Sequence, residues 1–194
     1  MLEDVSEQKA TGLGLGYFVT WVTTYTTTAG DTVGRQRFRV LKFDPHHHGE
    51  STGSRSPKPA PPEPKGEHLQ PWSIDLTTTV IVAGAIASRD FMPVHHDAEY
   101  ARAQGAPDLF MNILTSNGYV ARYVTDWAGP EALLRRIVIK LGAPATPGHT
   151  MEFSGQVVTD EVVADERVLD VAVVAATGLG DHATGTVELT LPIG

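Results

Sequence analysis

The chain has 194 residues, 41% of them hydrophobic, a formal charge of -8 and no cysteine. That size and apolar content suffice for one ordinary domain, or one domain with a fragment. The absence of cysteine excludes disulfides, thiolate metal sites and cysteine nucleophiles, and the acidic balance gives no reason to expect a nucleic acid partner.

Met1 to Ala10 has no apolar signal core, and no stretch approaches the roughly 20 apolar residues of a membrane span. The expectation is a soluble, cytoplasmic protein with no membrane contact. Gly16 to Tyr25 and Asp31 to Phe43 are rich in β-branched and aromatic residues, with Thr27 to Gly30 as the hairpin turn between them. In the second strand Arg35, Arg37 and Arg39 alternate with Gln36, Phe38 and Val40. Two strands alone are marginal in water, so this piece must lie on the rest of the chain or on a partner subunit. Residues 46–69 are rich in Pro, Gly, Ser, His and Lys and read as a disordered linker. The expected division is therefore 1–45, 46–69 and 70–194.

In the third segment, Leu76 to Ala87 is a strand-like apolar run, and Asp97 suits the N-cap of a short helix beginning AEYARAQG. Asp108 to Trp127 carries a helical pattern through Ile113, Leu114, Tyr119, Val120, Tyr123 and Val124, stopped by Ala128-Gly129-Pro130. Four strands follow: Leu133 to Leu141, Thr150 to Thr159, Arg167 to Thr177 and His182 to Leu191. Their turns fall at residues 142–148, 160–166 and 178–181. One long helix, apolar on more than one side, followed by antiparallel strands is α+β. A sheet wrapping that helix would be a hot dog fold.

The chemistry concentrates in Arg89-Asp90-Phe91-Met92-Pro93-Val94-His95. A carboxylate stands five residues before an imidazole, ahead of a helix whose N-terminus suits an oxyanion. Asp and His together are a general acid/base pair. His96 reads as a capping or packing residue. The tract His46 to His48 lacks a fixed carboxylate partner, and Gly12, Gly14 and Gly16 are not followed by a helix, so neither suggests a ligand site. Asp181 and His182 read as structural residues in a turn, and Ser116, outside any G-x-S-x-G context, as a helix residue.

The segment Asp90 to His95 resembles the D-x-N-P-(aliphatic)-H motif of MaoC-like (R)-specific enoyl-CoA hydratases. SRDFMPVHHD, DLFMNILTSNGYVARYVTDWAGP and LGDHATGTVEL resemble, within that family, the small MaoC-domain subunits that act on bacterial steroid side-chain thioesters. Two positions depart: Met92 stands for the motif's Asn, and Arg89 for the preceding Gly. GLGLGYFVTWVTTYTTTAGDTVGRQRFRVLKF resembles the last strands of a second, catalytically silent hot dog. The resemblance implies a hydro-lyase adding water to a 2-enoyl-CoA, with His95 as general base and Asp90 as its partner. It implies the backbone amide of Asn112 as oxyanion donor, no metal and no cofactor, coenzyme A being part of the substrate. Arg122, Arg135, Arg136 and Lys140 are the basic residues offered for the coenzyme A phosphates, with Arg136 and Lys140 on one strand face and Arg135 on the other. Acyl-CoA enzymes of this kind work as homo-oligomers or with another hot dog subunit. The alternatives are a non-catalytic acyl-CoA-binding or stabilising subunit and an acyl-CoA thioesterase. The thioesterase reading is disfavoured because the long helix carries carboxylates only at Asp108 and Asp126, its ends.

Overall fold

The computed structural model describes residues 1–11, 14–43 and 66–193. The chain divides into two compact units, Met1–Ala60 and Pro61–Gly194. Most of the expected linker, including His46 to His48, lies outside the described residues, as does Gly12. The linker ends earlier than its composition predicts. Leu69 is only 3% exposed, His68 bridges to Gln156, and Val157 N–H donates to the Glu67 carbonyl, so residues 66–69 belong to the second unit. Leu69 is the apolar anchor that a reading based on average composition passes over.

The first unit is an antiparallel sheet. β3 (Gly14–Thr26) and β4 (Thr32–Phe43) pair from Gly16 opposite Phe43 to Thr26 opposite Thr32. The turn sits where the sequence placed it, closed by Thr27 Oγ1 accepting from Asp31 N–H at 3.1 Å. Two short strands not anticipated from the sequence, β1 (Leu2–Val5) and β2 (Lys9–Thr11), line the other edge of β3. The alternation in β4 holds: Gln36, Phe38 and Val40 are half-buried, and Arg35, Arg37 and Arg39 exposed. Phe38 packs on Trp21 with ring centroids 5.0 Å apart.

The second unit opens with β5 (Trp72–Leu76), then α1 (Thr78–Ala87), a 3-10 turn over Pro93–His95, α2 (Ala98–Ala103) and α3 (Ile113–Ala128). β6 (Leu133–Leu141), β7 (His149–Val163), β8 (Glu166–Thr177) and β9 (Gly180–Pro192) complete it. All pairings are antiparallel, in the order β5-β7-β8-β9-β6. β8 buries Leu169, Val171, Val173 and Ala175 in strict alternation. Against that face lie Val120, Tyr123 and Val124 of α3, together with Phe153, Val187 and Leu189. A five-stranded antiparallel sheet around one central helix is the hot dog arrangement that the strand order predicted.

Three expectations change. The apolar run at 76–87 is a strand only to Leu76; from Thr78 it is helix, capped by Thr77 Oγ1 accepting from Val80 N–H at 3.1 Å. A short apolar run has no period that separates strand from helix; the Thr77 cap and three alanines favour the helix. α1 meets α3 closely, since a Cβ on Gly84 would stand 2.5 Å from Thr115 Oγ1. Second, α3 starts at Ile113 rather than Asp108: Asp108 accepts from the adjacent Leu109 N–H, and the cap is Asn112. The helix does stop at Gly129, which has φ 89°. Third, β7 and β8 run on through the expected turn at 160–166, joined by Ala164 and Asp165 alone, with φ 50° and 66°. Two successive positive φ values make this a tight hairpin turn of the mirror-image kind.

Candidate active site

α1 presents Asp90. Its last turn closes with Asp90 N–H on the Ala85 carbonyl (2.9 Å) and Arg89 N–H on the Ile86 carbonyl (3.0 Å). This paired closure requires a left-handed residue just past the helix, normally glycine. Arg89 takes that place with φ 57°. The helix end, rather than a strand, thus fixes the direction in which the Asp90 carboxylate leaves the backbone.

Pro93 opens the 3-10 turn, and its fixed φ suits that first position. The turn closes with His95 N–H on the Met92 carbonyl. His95 is 7% exposed. Its Nδ1 stands 2.7 Å from the Phe110 carbonyl, and its ring meets the Phe110 ring edge-on at 5.1 Å. A carbonyl only accepts, so Nδ1 carries the proton and donates. In the neutral ring, Nε2 then offers a lone pair. It faces Asp90 Oδ2 at 3.3 Å. Two acceptors at that separation need a shared hydrogen, from a protonated imidazole or from a water donating to both.

α3 begins beside them. Asn112 is 2% exposed and its Oδ1 accepts from Thr115 N–H at 2.9 Å. Its Nδ2 donates to Asp90 Oδ2 (3.0 Å) and to Ser88 Oγ (2.8 Å). The Asn112 backbone N–H has no acceptor among the described residues. Ser88 and this side-chain role of Asn112 were not singled out from the sequence. An Asn just before an apolar helical run signals a cap, but the reach back to Asp90 depends on how α1 crosses α3.

The four cations do not form one cluster. Arg122 pairs with Asp126 at 3.3 Å and lies over the Trp72 ring, on a cleft of about 340 Å³ that also includes Gly84, Ser88 and Gly118. Arg135 donates to both Glu166 oxygens and to Thr190 Oγ1. The β6–β9 register slips between Leu134 and Arg136, so Arg135 and Arg136 are both exposed, where strict alternation put them on opposite faces. Arg136 and Lys140 have no ion-pair partner among the described residues.

Asp97 caps α2, accepting from Tyr100 N–H at 2.9 Å, and His96 lies 3.4 Å from the Phe91 carbonyl. The structure joins two residues that the sequence kept apart. Ser116 Oγ and His182 Nε2 are 2.8 Å apart, both 2% exposed, with His182 Nδ1 on the Ala143 carbonyl at 2.8 Å. Burial pushes the His182 pKa down, opposed by the Ala143 hydrogen bond. Among the described residues no group of three or more His, Cys, Asp or Glu could hold a metal ion, and no helix is long and apolar enough to cross a membrane.

No family model matches the chain. It is 50% identical over 113 residues to the 3-oxo-4,17-pregnadiene-20-carboxyl-CoA hydratase beta subunit of Mycobacterium tuberculosis, covering 58% of this chain and 84% of the relative. The chain belongs to the MaoC-like hydratase family. Among solved structures, this MaoC-like chain is similar to the ChsH1–ChsH2 complex from Mycobacterium tuberculosis, at 47% identity and TM-score 0.61, over 65% of this chain and 96% of that one. A MaoC-like dehydratase matches 98% of this chain and 68% of its own length, at 18% identity and TM-score 0.73. The (R)-hydratase from A. caviae matches 66% and 96%, at 18% identity and TM-score 0.57. The last two likenesses speak to the hot dog fold alone.

Proposed function

We propose that this chain is the acid/base subunit of a 2-enoyl-CoA hydratase, working beside another hot dog subunit on a bulky, steroid-type thioester. The observation that carries the reading is the Asp90–His95 pair at 3.3 Å, next to the uncommitted amide of Asn112. The substrate class is supported by the relative named for a steroid carboxyl-CoA, and the partner by the similarity to a two-component complex. We read the first unit as strands of a second, catalytically silent hot dog.

In this mechanism a water sits to one side of the His95 Nε2–Asp90 Oδ2 contact and donates a hydrogen to each atom. As its oxygen bonds to C3, Nε2 takes one of its protons. The electron pair of the C2–C3 double bond moves toward C2 and the thioester oxygen. The Asn112 N–H and the N-terminus of α3 stabilise that oxygen, one such donor being worth about 3 kcal/mol of barrier. The His95–Asp90 pair then delivers a proton to C2, which restores the thioester carbonyl and the starting protonation. Arg136 and Lys140, with no carboxylate partner among the described residues, are the cations free to meet coenzyme A phosphates; Arg122 and Arg135 would first have to leave theirs. The thioesterase alternative gains nothing here, because Asp126 is already paired with Arg122 at the surface.

The test is hydration of a panel of 2-enoyl-CoA thioesters, from crotonyl-CoA to a steroid side-chain enoyl-CoA, followed by loss of conjugated absorbance. The chain is assayed alone and with a co-purified hot dog partner. His95→Ala and Asp90→Asn should each lower kcat by at least about 100-fold, as expected for loss of general acid/base catalysis. A wild type inactive on every substrate with its partner present would sink the hydratase reading and leave the scaffold subunit in its place.

A further inference from the structure

We infer that the Asn112 carboxamide is a positioning residue for Asp90: the group that caps α3 also holds the catalytic carboxylate in its working direction. The inference rests on the hydratase reading above. Three hydrogen bonds use the whole carboxamide. Oδ1 accepts from Thr115 N–H, and the two Nδ2 hydrogens go to Asp90 Oδ2 and Ser88 Oγ. That assignment is forced by the network. A flipped amide would set its oxygen against the carboxylate and its N–H against the Thr115 N–H. Ser88 is equally constrained, since its own hydrogen goes to the Gly84 carbonyl at 2.7 Å and leaves Oγ to accept.

The loop around Asp90 gives it little other support. Met92 offers only a backbone N–H, 3.4 Å from Oδ1, and is itself 54% exposed. No side chain of the 89–95 loop donates to the carboxylate except, when protonated, His95. The side-chain donor to Asp90 comes instead from α3, across the α1–α3 crossing, and it donates to the same oxygen that faces His95. Such a donor sets where the carboxylate points and keeps that lone pair directed at the water. Binding of the thioester does not require it.

The experiment separates cap from positioner. Asn112→Ser and Asn112→Asp both keep a good helix cap and the backbone N–H, and neither keeps the Nδ2 donors. Each is assayed for kcat, KM and thermal midpoint with its partner subunit, beside wild type and His95→Ala. We expect folded variants with kcat lowered about 10- to 100-fold, less than loss of the acid/base pair itself, and KM within about twofold. Ser88→Ala, which leaves the Asp90 contact intact, should cost only a few-fold in kcat. An active wild type whose two Asn112 variants keep kcat, whatever their thermal midpoints, overturns this inference and leaves the hydratase reading standing. An inactive wild type takes both down.

Discussion

The Tyr123 hydroxyl is buried among apolar side chains of α3 and the sheet. The side chain is 3% exposed, its ring centroid lies 5.7 Å from that of Phe153, and its Oη has no hydrogen-bond partner among the described residues. The same desolvation raises its pKa. A buried hydroxyl without a partner costs about 1–3 kcal/mol, so Tyr123→Phe should stabilise the chain by roughly 1 kcal/mol in chemical denaturation. An unchanged or lower midpoint would mean that the hydroxyl finds a partner in solution. At this scale the sequence was informative where chemistry depends on spacing. Asp90 and His95 stood out because five residues separate them around a proline. Asn112 was singled out for its backbone amide, whereas the contact of its carboxamide with Asp90 was not legible, and Ser116 and His182 were not legible as a pair. Those contacts join residues far apart in the chain, and no local pattern encodes them.

Among elements, α1 carries the clearest tension. Its left-handed exit is occupied by Arg89, an exposed side chain, where glycine would avoid the Cβ clash. Arg89→Gly should raise stability by up to about 1 kcal/mol, read as the thermal or urea midpoint, because it relieves strain at a position that needs φ near 57°. A loss of stability would show that the guanidinium makes contacts outweighing that strain. α1 was also the element hardest to read in advance. Its apolar residues follow no stripe, because the side away from Ile81 and Ala85 is apolar too, with Ala83, Ile86 and Ala87 exposed, so the run looks equally like a buried strand. β6 to β9 were readable for a different reason: each is a long run rich in β-branched residues set off by turn residues, and in β8 burial alternates strictly from Leu169 to Ala175.

For the second unit as a whole, His182 ties α3 to β9 and to the loop at Ala143. Its folded pKa lies below the ordinary 6.5. As pH falls through about 6.5 the unfolded histidine takes up a proton, while the buried one resists until lower pH. Its contribution to stability is therefore whole above that value and shrinks as the solution is acidified below it. Melting wild type and His182→Gln from pH 7.5 to 5 should give a steeper acid decline in wild type; parallel curves would remove His182 as the cause. The order of the sheet has a consequence of a different kind. β7, β8 and β9 join through short turns, whereas β5 and β6 are the two outer strands, and everything that carries the chemistry lies between them in sequence. Closing that long segment costs more chain entropy than zipping neighbouring hairpins. On that ground we expect the meander to form first and the Asp90–His95 contact to be fixed only as the outer strands dock. A newly made or partly unfolded chain can thus hold much of its sheet and still have no chemistry to offer.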